Sequence, residues 1–262
     1  MAHLQPTLSP LEIGGGRVET TAETGYRLTL PPMPRGYADA QLDDHRRLRR
    51  SAFPWRPPVR IRVRARASEA SPIGTLGFGL WNDPFSLSLG QGGAARRLPA
   101  APRAIWFFYA SPPADLSLSP GAPPNGWKAS CVDSPSVPAL LLAPVAAAGL
   151  AAAQIPFLRR AVLKRALGGL RGSEVPIAAS LADWHEYEIF WRSGRALFKV
   201  DGEVVLEAAA PPTGPLGFVA WIDNQYAVAS PEKGFHFGVL PTSREQGLEL
   251  SELSVAVVPS TG

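Results

Sequence analysis

Two short stretches of this sequence combine residues that could bind or transform a ligand. In WIDNQYA, the residues Asp223, Asn224 and Gln225 follow an apolar run. Asp223 could act as a general base or accept hydrogen bonds from ligand hydroxyl groups, and the adjacent amides could orient the ligand. In LWNDPF, Asn82 and Asp83 precede a proline. Asp83 is a second candidate acid, although these residue types also form turns.

Aromatic residues lie close to both stretches in the sequence, and others occur in RAIWFFYA and in WHEYEIFW. Large rings can fill the space between two sheets or offer a stacking surface to a ligand. Because side chains alternate along a strand, we expect some of these rings to face a binding cleft. The predicted ligand-binding residues are Trp81, Asn82, Trp106, Phe108, Tyr109, Phe190, Trp221, Asn224, Gln225 and Tyr226.

The elements that position these residues are predicted to be β-strands. VRIRVRARA, from Val59 to Ala67, alternates apolar residues with four arginines, which is typical of a strand with one face in water. Similar short runs are separated by turn residues, and no regularly spaced helices lie between them. The pattern therefore favours antiparallel strands over a parallel α/β sheet.

The composition agrees with an all-β chain. Of the 262 residues, 45% are hydrophobic and 18% are charged, and 28 prolines with 25 glycines indicate many turns. A chain of this length can form one large sandwich. We predict a two-sheet antiparallel jelly-roll sandwich over residues 1–262, as a single domain.

One segment departs from the strand pattern. Residues 134–158 contain no charge, and RRAVLKRALGGLR then places apolar residues at helical spacing opposite a basic side. We predict a helical insertion over residues 137–171. It could pack as extra core, close over the cleft as a lid, or rest on a membrane surface; its prolines disfavour a full membrane span.

The pattern W-H-x-Y-x-I-x-W, followed by F-x-V-D-G-x-x-V, occurs within residues 183–207. This hairpin resembles a strand pair of the concanavalin A-like lectin/glucanase superfamily, especially its laminarinase-like family-sixteen glycoside hydrolases. The order of YADAQLDDH upstream and GPLGFVAWIDNQYA downstream extends the resemblance from about residue 17 to residue 258. It implies a jelly roll whose hairpin carries Trp184, His185, Tyr187, Ile189, Trp191, Phe198, Val200, Asp201 and Gly202.

The catalytic motif of those hydrolases is missing here. The family carries E-x-D-x-x-E on one strand, so that two carboxylates stand about 5 Å apart on one face. The corresponding strand in this chain is RAIWFFYA, which contains no acid, and Phe190 replaces the glutamate of the family's hairpin. The resemblance thus implies the frame of a glycoside hydrolase without its usual acid pair.

Other features limit the range of partners. The net charge of +4 permits attraction to anionic surfaces, but no nucleic-acid motif is present. His and Cys residues lack the spacing of metal ligands, and no phosphate-binding glycine motif occurs, so we expect neither a metal nor a cofactor. No secretory signal is visible, and we expect a cytoplasmic protein, with membrane association through residues 137–171 as a further candidate.

Three functions are compatible with these residues. The first is a non-hydrolytic protein that holds an apolar or amphiphilic small molecule, or a glycan, in an aromatic-lined concave cleft. The second is an enzyme on the same frame that uses Asp223, Asp83 or both for proton transfer, isomerisation, cyclisation or atypical glycoside hydrolysis. The third is a membrane-peripheral scaffold.

Overall fold

The computed structural model describes residues 7–21, 25–84, 97, 100–115, 117, 121–134, 171–230 and 234–259. Within these ranges the chain is almost entirely β-structure, with one 3-10 helix at Arg50–Ala52. The strands are β1 Ser9–Ile13, β2 Arg17–Thr20, β3 Tyr26–Leu30, β4 Asp39–Asp43, β5 Val59–Ala67, β6 Thr75–Trp81, β7 Arg103–Ala110, β8 Gly126–Asp133, β9 Arg171–Pro176, β10 His185–Arg192, β11 Arg195–Val200, β12 Glu203–Ala208, β13 Gly217–Asp223, β14 Gln225–Ser230, β15 Gly234–Val239 and β16 Gln246–Val257.

The strands form two large antiparallel sheets. Sheet A has the order β1-β4-β13-β6-β7-β8-β9, and sheet B has the order β12-β11-β10-β5-β16-β3-β2. Strands β14 and β15 form a separate hairpin directly after β13. The inner faces of both sheets share one hydrophobic core, so the prediction of an all-β, two-sheet antiparallel sandwich is confirmed.

Strand β5 shows how alternation assigns side chains to the two faces. Its apolar residues, from Val59 to Ala67, are buried against sheet A. Its arginines point outward, and three of them pair with acids on neighbouring strands: Arg60 with Glu188, Arg62 with Glu186 and Arg66 with Glu249. The basic run is thus neutralised across the sheet, as expected of a solvated face.

The hairpin predicted within residues 183–207 is also present. Ile189 lies opposite Phe198 in the β10–β11 pair, and both side chains are buried. The turn between β11 and β12 places Asp201 at φ 52° and Gly202 at φ 85°, the left-handed geometry for which Asp-Gly is suited. Asp201 accepts hydrogen bonds from the Glu186 backbone N–H and from His185, so it closes the hairpin.

Aromatic rings hold the two sheets together. Phe107 of sheet A contacts Tyr187 and Phe198 of sheet B at centroid distances of 4.9 and 5.5 Å. Phe78 lies 5.2 Å from Tyr187 in the same cluster. Cys131 is buried in this core on β8, where it is 3% exposed. Burial, with Asp133 nearby, raises the pKa of its thiol to about 12.

The helical insertion predicted over residues 137–171 lies almost wholly outside the described residues, and its final residue, Arg171, begins β9. Among the residues that the structure describes, no helix has the length and hydropathy needed to cross a bilayer.

Candidate functional site

The candidate site lies on the outer face of sheet A, the face opposite the core. The inner face of this sheet carries residues such as Phe78, Phe107 and Ile222, and the positions between them point outward. Cross-strand register arranges the outward side chains in rows that cross β4, β13, β6, β7 and β8.

Two rows carry most of this face. One contains Gln41, Trp221, Gly77, Phe108 and Lys128. The next contains Asp43, Val219, Gly79, Trp106, Ser130 and Glu174.

Four half-buried rings form a continuous cluster on this face, which we call the aromatic platform: Trp81, Trp106, Phe108 and Trp221. Trp106 lies 5.3 Å from Trp221 and 5.5 Å from Phe108, measured between ring centroids. Trp81 is almost parallel to Trp221, with 10° between the ring planes at 6.5 Å. The platform therefore offers adjoining ring faces on one side of a single sheet.

Glycines on β6 provide the room for these rings. A Cβ atom on Gly77 would lie 2.8 Å from the Trp221 ring, and one on Gly79 would lie 2.6 Å from the Trp106 Cβ atom. Both distances are shorter than real contacts, and the Phe107 and Ile105 carbonyl oxygens of β7 would lie closer still, at 2.3 and 2.4 Å. These two positions therefore have no room for a side chain.

Hydrogen bonds hold two of the platform rings in place. The Trp221 Nε1–H donates to Thr75 Oγ1 at 2.9 Å, and the Thr75 hydroxyl donates to Asp223 Oδ1 at 2.8 Å. The Trp81 Nε1–H donates to Nε2 of the buried His45 at 3.1 Å. Since both indole N–H groups are already bonded within the protein, these rings offer a ligand their apolar faces.

One end of the platform is polar. Asp39 on β4 and Asp223 on β13 are direct cross-strand neighbours, in a row with Thr75 on β6. Tyr37 hydrogen-bonds to Asp39 and to the Gln225 side chain, and the Gln225 backbone N–H donates to Asp223 Oδ1 at 3.0 Å. We call Tyr37, Asp39 and Asp223 the carboxyl pair site.

Burial dominates the titration of this site. It raises the pKa of Asp223 to about 6, against the opposing hydrogen bonds from Gln225 and Thr75. Burial raises the pKa of Asp39 well above its ordinary value, and the charge of Asp223 raises it further. The two carboxyl groups are therefore coupled, and the charge of Asp223 disfavours ionisation of Asp39.

Charged groups border the platform on two other sides. Lys128 and Glu174 form a buried ion pair at 3.3 Å, to which Ser130 donates a hydrogen bond. Asp43 pairs with Arg46 at 2.5 Å. Burial alone would raise the pKa of Asp43, but the charge of Arg46 and the hydrogen bonds from Gln41 and Arg46 help to hold that pKa below its ordinary value.

Two residues predicted to line the cleft lie elsewhere. Phe190 belongs to β10 in sheet B, where Arg60 stacks on its ring at 4.8 Å, so its expected position beside Trp106 is wrong. Tyr109 is only 6% exposed and lies in the core. It follows Phe108 by one residue, and alternation turns it to the inner face.

Three polar candidates have structural partners. Asn82 accepts a hydrogen bond from the Arg103 backbone N–H and donates to the Ala101 carbonyl. Asp83 forms an ion pair with Arg97. Asn224 is fully buried and bonds the backbone of Ala38, Gly36 and Leu240.

The last two predicted residues lie at the polar end. Gln225 contacts the carboxyl pair site through Tyr37 and Asp223. Tyr226 lies on the β14–β15 hairpin, opposite Gly238 and 6.0 Å from the His236 ring. The structure therefore brings together Trp81, Trp106, Phe108, Trp221, Asp223 and Gln225.

Sequence reasoning missed Tyr37, Asp39, Gln41 and Thr75 as site residues. A signal was present, because DAQLD alternates polar residues with Ala40 and Leu42, the pattern of a strand with one polar face. Across the described ranges, no group of three or more His, Cys, Asp or Glu side chains could hold a metal ion.

Comparisons with known proteins show similarity of fold only. No family model matches this sequence, and no curated protein matches it significantly. A legume lectin-like domain from Entamoeba histolytica is 8% identical at a TM-score of 0.48, and covers 96% of this chain and 90% of its own. An alginate lyase from Pseudomonas aeruginosa is 16% identical at a TM-score of 0.46, with coverages of 92% and 86%.

A glycosyl hydrolase family protein from Mycobacterium fortuitum is 10% identical at a TM-score of 0.44, with coverages of 95% and 90%. These three likenesses have identities of 16% or less and TM-scores below 0.5. At these scores and identities they carry no argument about activity, which depends on the residues of the site.

Proposed function

We propose that the outer face of sheet A binds a carbohydrate, with sugar rings stacked on the aromatic platform. The observation that carries this proposal is the continuous surface of Trp81, Trp106, Phe108 and Trp221, which ends at hydroxyl, amide and carboxyl groups. A sugar ring likewise has an apolar and a polar part, because its C–H face is apolar and its edge carries hydroxyl groups.

The two tethered indoles support a sugar ring as the ligand. Their N–H groups are occupied by Thr75 and His45, so these two indoles offer a ligand no hydrogen-bond donor. Rigid aromatic side chains also lose little conformational entropy when a ligand binds. The proposal is binding without hydrolysis, because the strand RAIWFFYA lacks the acid pair that the glycoside hydrolases it resembles carry there.

A glycan array tests this function. We expect the wild-type protein to bind a defined set of glycans, and Trp106→Ala to weaken binding by at least about tenfold, or about 1.4 kcal/mol. Trp184→Ala is the matched control, because this ring contacts Arg64 and Arg66 of sheet B. Equal losses in both variants, or no binding to any glycan, would overturn the proposal.

An enzyme that uses Asp223 is the second candidate function. Its pKa of about 6 favours this reading, because an acid–base group works best when it titrates near the ambient pH. Conversion of an array-selected glycan by the wild type, but not by Asp223→Asn, would distinguish catalysis from binding. Asp83 drops out of this candidate function because of its ion pair with Arg97.

An apolar or amphiphilic ligand and a membrane-surface role both stay predictions. A lipid that co-purifies with the protein, identified by native mass spectrometry, would favour the apolar or amphiphilic ligand. Liposome binding that is lost when residues 137–171 are replaced by a Gly-Ser linker would favour the membrane-surface role.

A further inference from the structure

We propose that Tyr37, Asp39 and Asp223 form one subsite, which binds a hydroxyl group of a neutral sugar ring stacked on Trp221, with one proton shared between the two carboxyl groups. This inference rests on the proposed function and specifies which part of the sugar is recognised and where.

Backbone register brings the two carboxyl groups together. Asp39 and Asp223 are directly paired on adjacent antiparallel strands, so their Cβ atoms are roughly 5 Å apart and on the same face. Two carboxyl groups at this spacing in a partly buried site do not both ionise at neutral pH. Their shared proton makes one group a hydrogen-bond donor and the other an acceptor.

An unsatisfied atom points to a ligand at this position. Asp39 is 4% exposed, and its Oδ1 has no hydrogen-bond partner among the described residues. A buried polar atom without a partner costs about 1–3 kcal/mol, which a ligand hydroxyl could recover. Tyr37 binds Asp39 and Gln225, so the neighbouring polar groups are already ordered before a ligand arrives.

The position of Trp221 relates the subsite to the platform. Trp221 precedes Asp223 by two residues on β13, so both side chains share a face, with Cα atoms roughly 7 Å apart. Thr75 bonds both of them, at 2.9 Å to the indole and 2.8 Å to the carboxylate. A ring that stacks on Trp221 therefore has its edge directed at the carboxyl pair.

Charge favours neutral sugars over acidic ones. Asp43 lies on the same strand face as Asp39, and ionised Asp223 adds a second negative group. A uronate placed here would bring another carboxylate beside them, at a Coulomb cost that grows with burial. A hydroxyl group can instead donate to Asp223 in a charge-assisted hydrogen bond and accept from Asp39.

The pH dependence follows from the groups that face the pair. These are Tyr37, Asp43 and Arg46, with His45 beyond Asp43. The pKa of Tyr37 is raised and that of Asp43 is lowered, so neither changes charge between pH 5 and pH 7. Asp223, with a pKa of about 6, does change. Binding that needs its carboxylate strengthens about tenfold over this interval, as its ionised fraction rises.

The test is calorimetric titration with laminaritriose, cellotriose and mannotriose from pH 5 to pH 8. We expect one of these neutral probes to bind, with affinity that rises about tenfold between pH 5 and pH 7. Asp223→Asn should bind weakly without this pH dependence. Asp39→Ala should lose about tenfold, and Asp39→Asn should recover most of it because the amide N–H replaces the carboxyl donor.

The variants separate this subsite from its neighbours. Asp183→Asn changes an exposed carboxyl before β10 and should match the wild type. If pH-dependent binding persists in Asp223→Asn, the effect belongs to a group other than Asp223, and the subsite is overturned. Binding that is independent of pH but still needs Trp221 would overturn the subsite and leave the proposed carbohydrate-binding face intact. Binding that is unaffected by Trp221→Ala, or no binding at all, would overturn both the subsite and the proposed carbohydrate-binding face.

Discussion

The Asp223 carboxyl titrates with a pKa of about 6 in the folded protein, against 3.8 as its ordinary value. Below about pH 4 it is protonated in both the folded and the unfolded chain and contributes no difference. Between pH 4 and pH 6 the unfolded chain ionises first, so the folded state loses stability as pH rises. Above pH 6 the loss is complete and stays constant.

Asp223→Asn removes this charge but keeps an oxygen acceptor for Thr75 and for the Gln225 N–H. We expect the variant and the wild type to have similar free energies of unfolding at pH 4. At pH 7 the variant should be more stable by on the order of 2–3 kcal/mol. Urea denaturation at both pH values measures this, and parallel pH profiles for the two proteins would contradict it.

Single residues of the site were partly predictable. Asp223 and Gln225 stand out because polar residues follow an apolar run, and Trp221 occupies the same strand. Asp39 was not identified, because its partner Asp223 lies 184 positions along the chain and cross-strand register is set by the whole sheet. Asn224 has the composition of a ligand contact, yet buried backbone groups satisfy its amide.

At the scale of elements, strand β6 lies beneath the rings of the aromatic platform. Its sequence TLGFGLW places Gly77 and Gly79 on the outer face, between rings contributed by β13 and β7. A glycine inside a strand usually weakens it, so two on one face indicate a close approach by a neighbouring group. This signal was readable in the sequence, although the identity of the approaching rings was not.

Gly77→Ala would place a methyl group 2.3 Å from the Phe107 carbonyl oxygen and 2.8 Å from the Trp221 ring. We expect the indole to move off β6, with loss of stacking on Trp221 and a destabilisation of about 1–3 kcal/mol. Near-UV circular dichroism and thermal unfolding report the two effects. Gly247→Ala on β16 is the control, since its nearest contact would be 3.3 Å; an equal effect there would show that the platform geometry is not responsible.

At the scale of the whole molecule, a comparison of substitutions at Phe107 and Phe108 tests the two-sheet arrangement. Phe107 packs between the sheets against Tyr187, whereas Phe108 is half-buried on the outer face. Phe107→Ala should cost about 3–5 kcal/mol of unfolding free energy, and Phe108→Ala should cost clearly less. Chemical denaturation of both variants gives the comparison. Similar losses would mean that the outer ring is as firmly packed as the core.

The sandwich itself followed from the sequence because hydrophobic alternation is a local property. Val59 to Ala67 forms β5 with the predicted faces, and Asp201-Gly202 forms the predicted turn. Phe190 was misplaced because alternation gives the face of a strand but not the sheet to which it belongs. That assignment depends on pairing between β10 and β5, more than a hundred residues apart.

Cys131 lies between the two sheets, and it is the sole cysteine of the sequence. A thiol that is 3% exposed and has a pKa of about 12 is almost inert while the sheets stay together. Its reaction with an alkylating reagent therefore requires the core to open. The rate of Cys131 alkylation, followed by mass spectrometry, therefore measures how often the two sheets separate, and no engineered probe is needed.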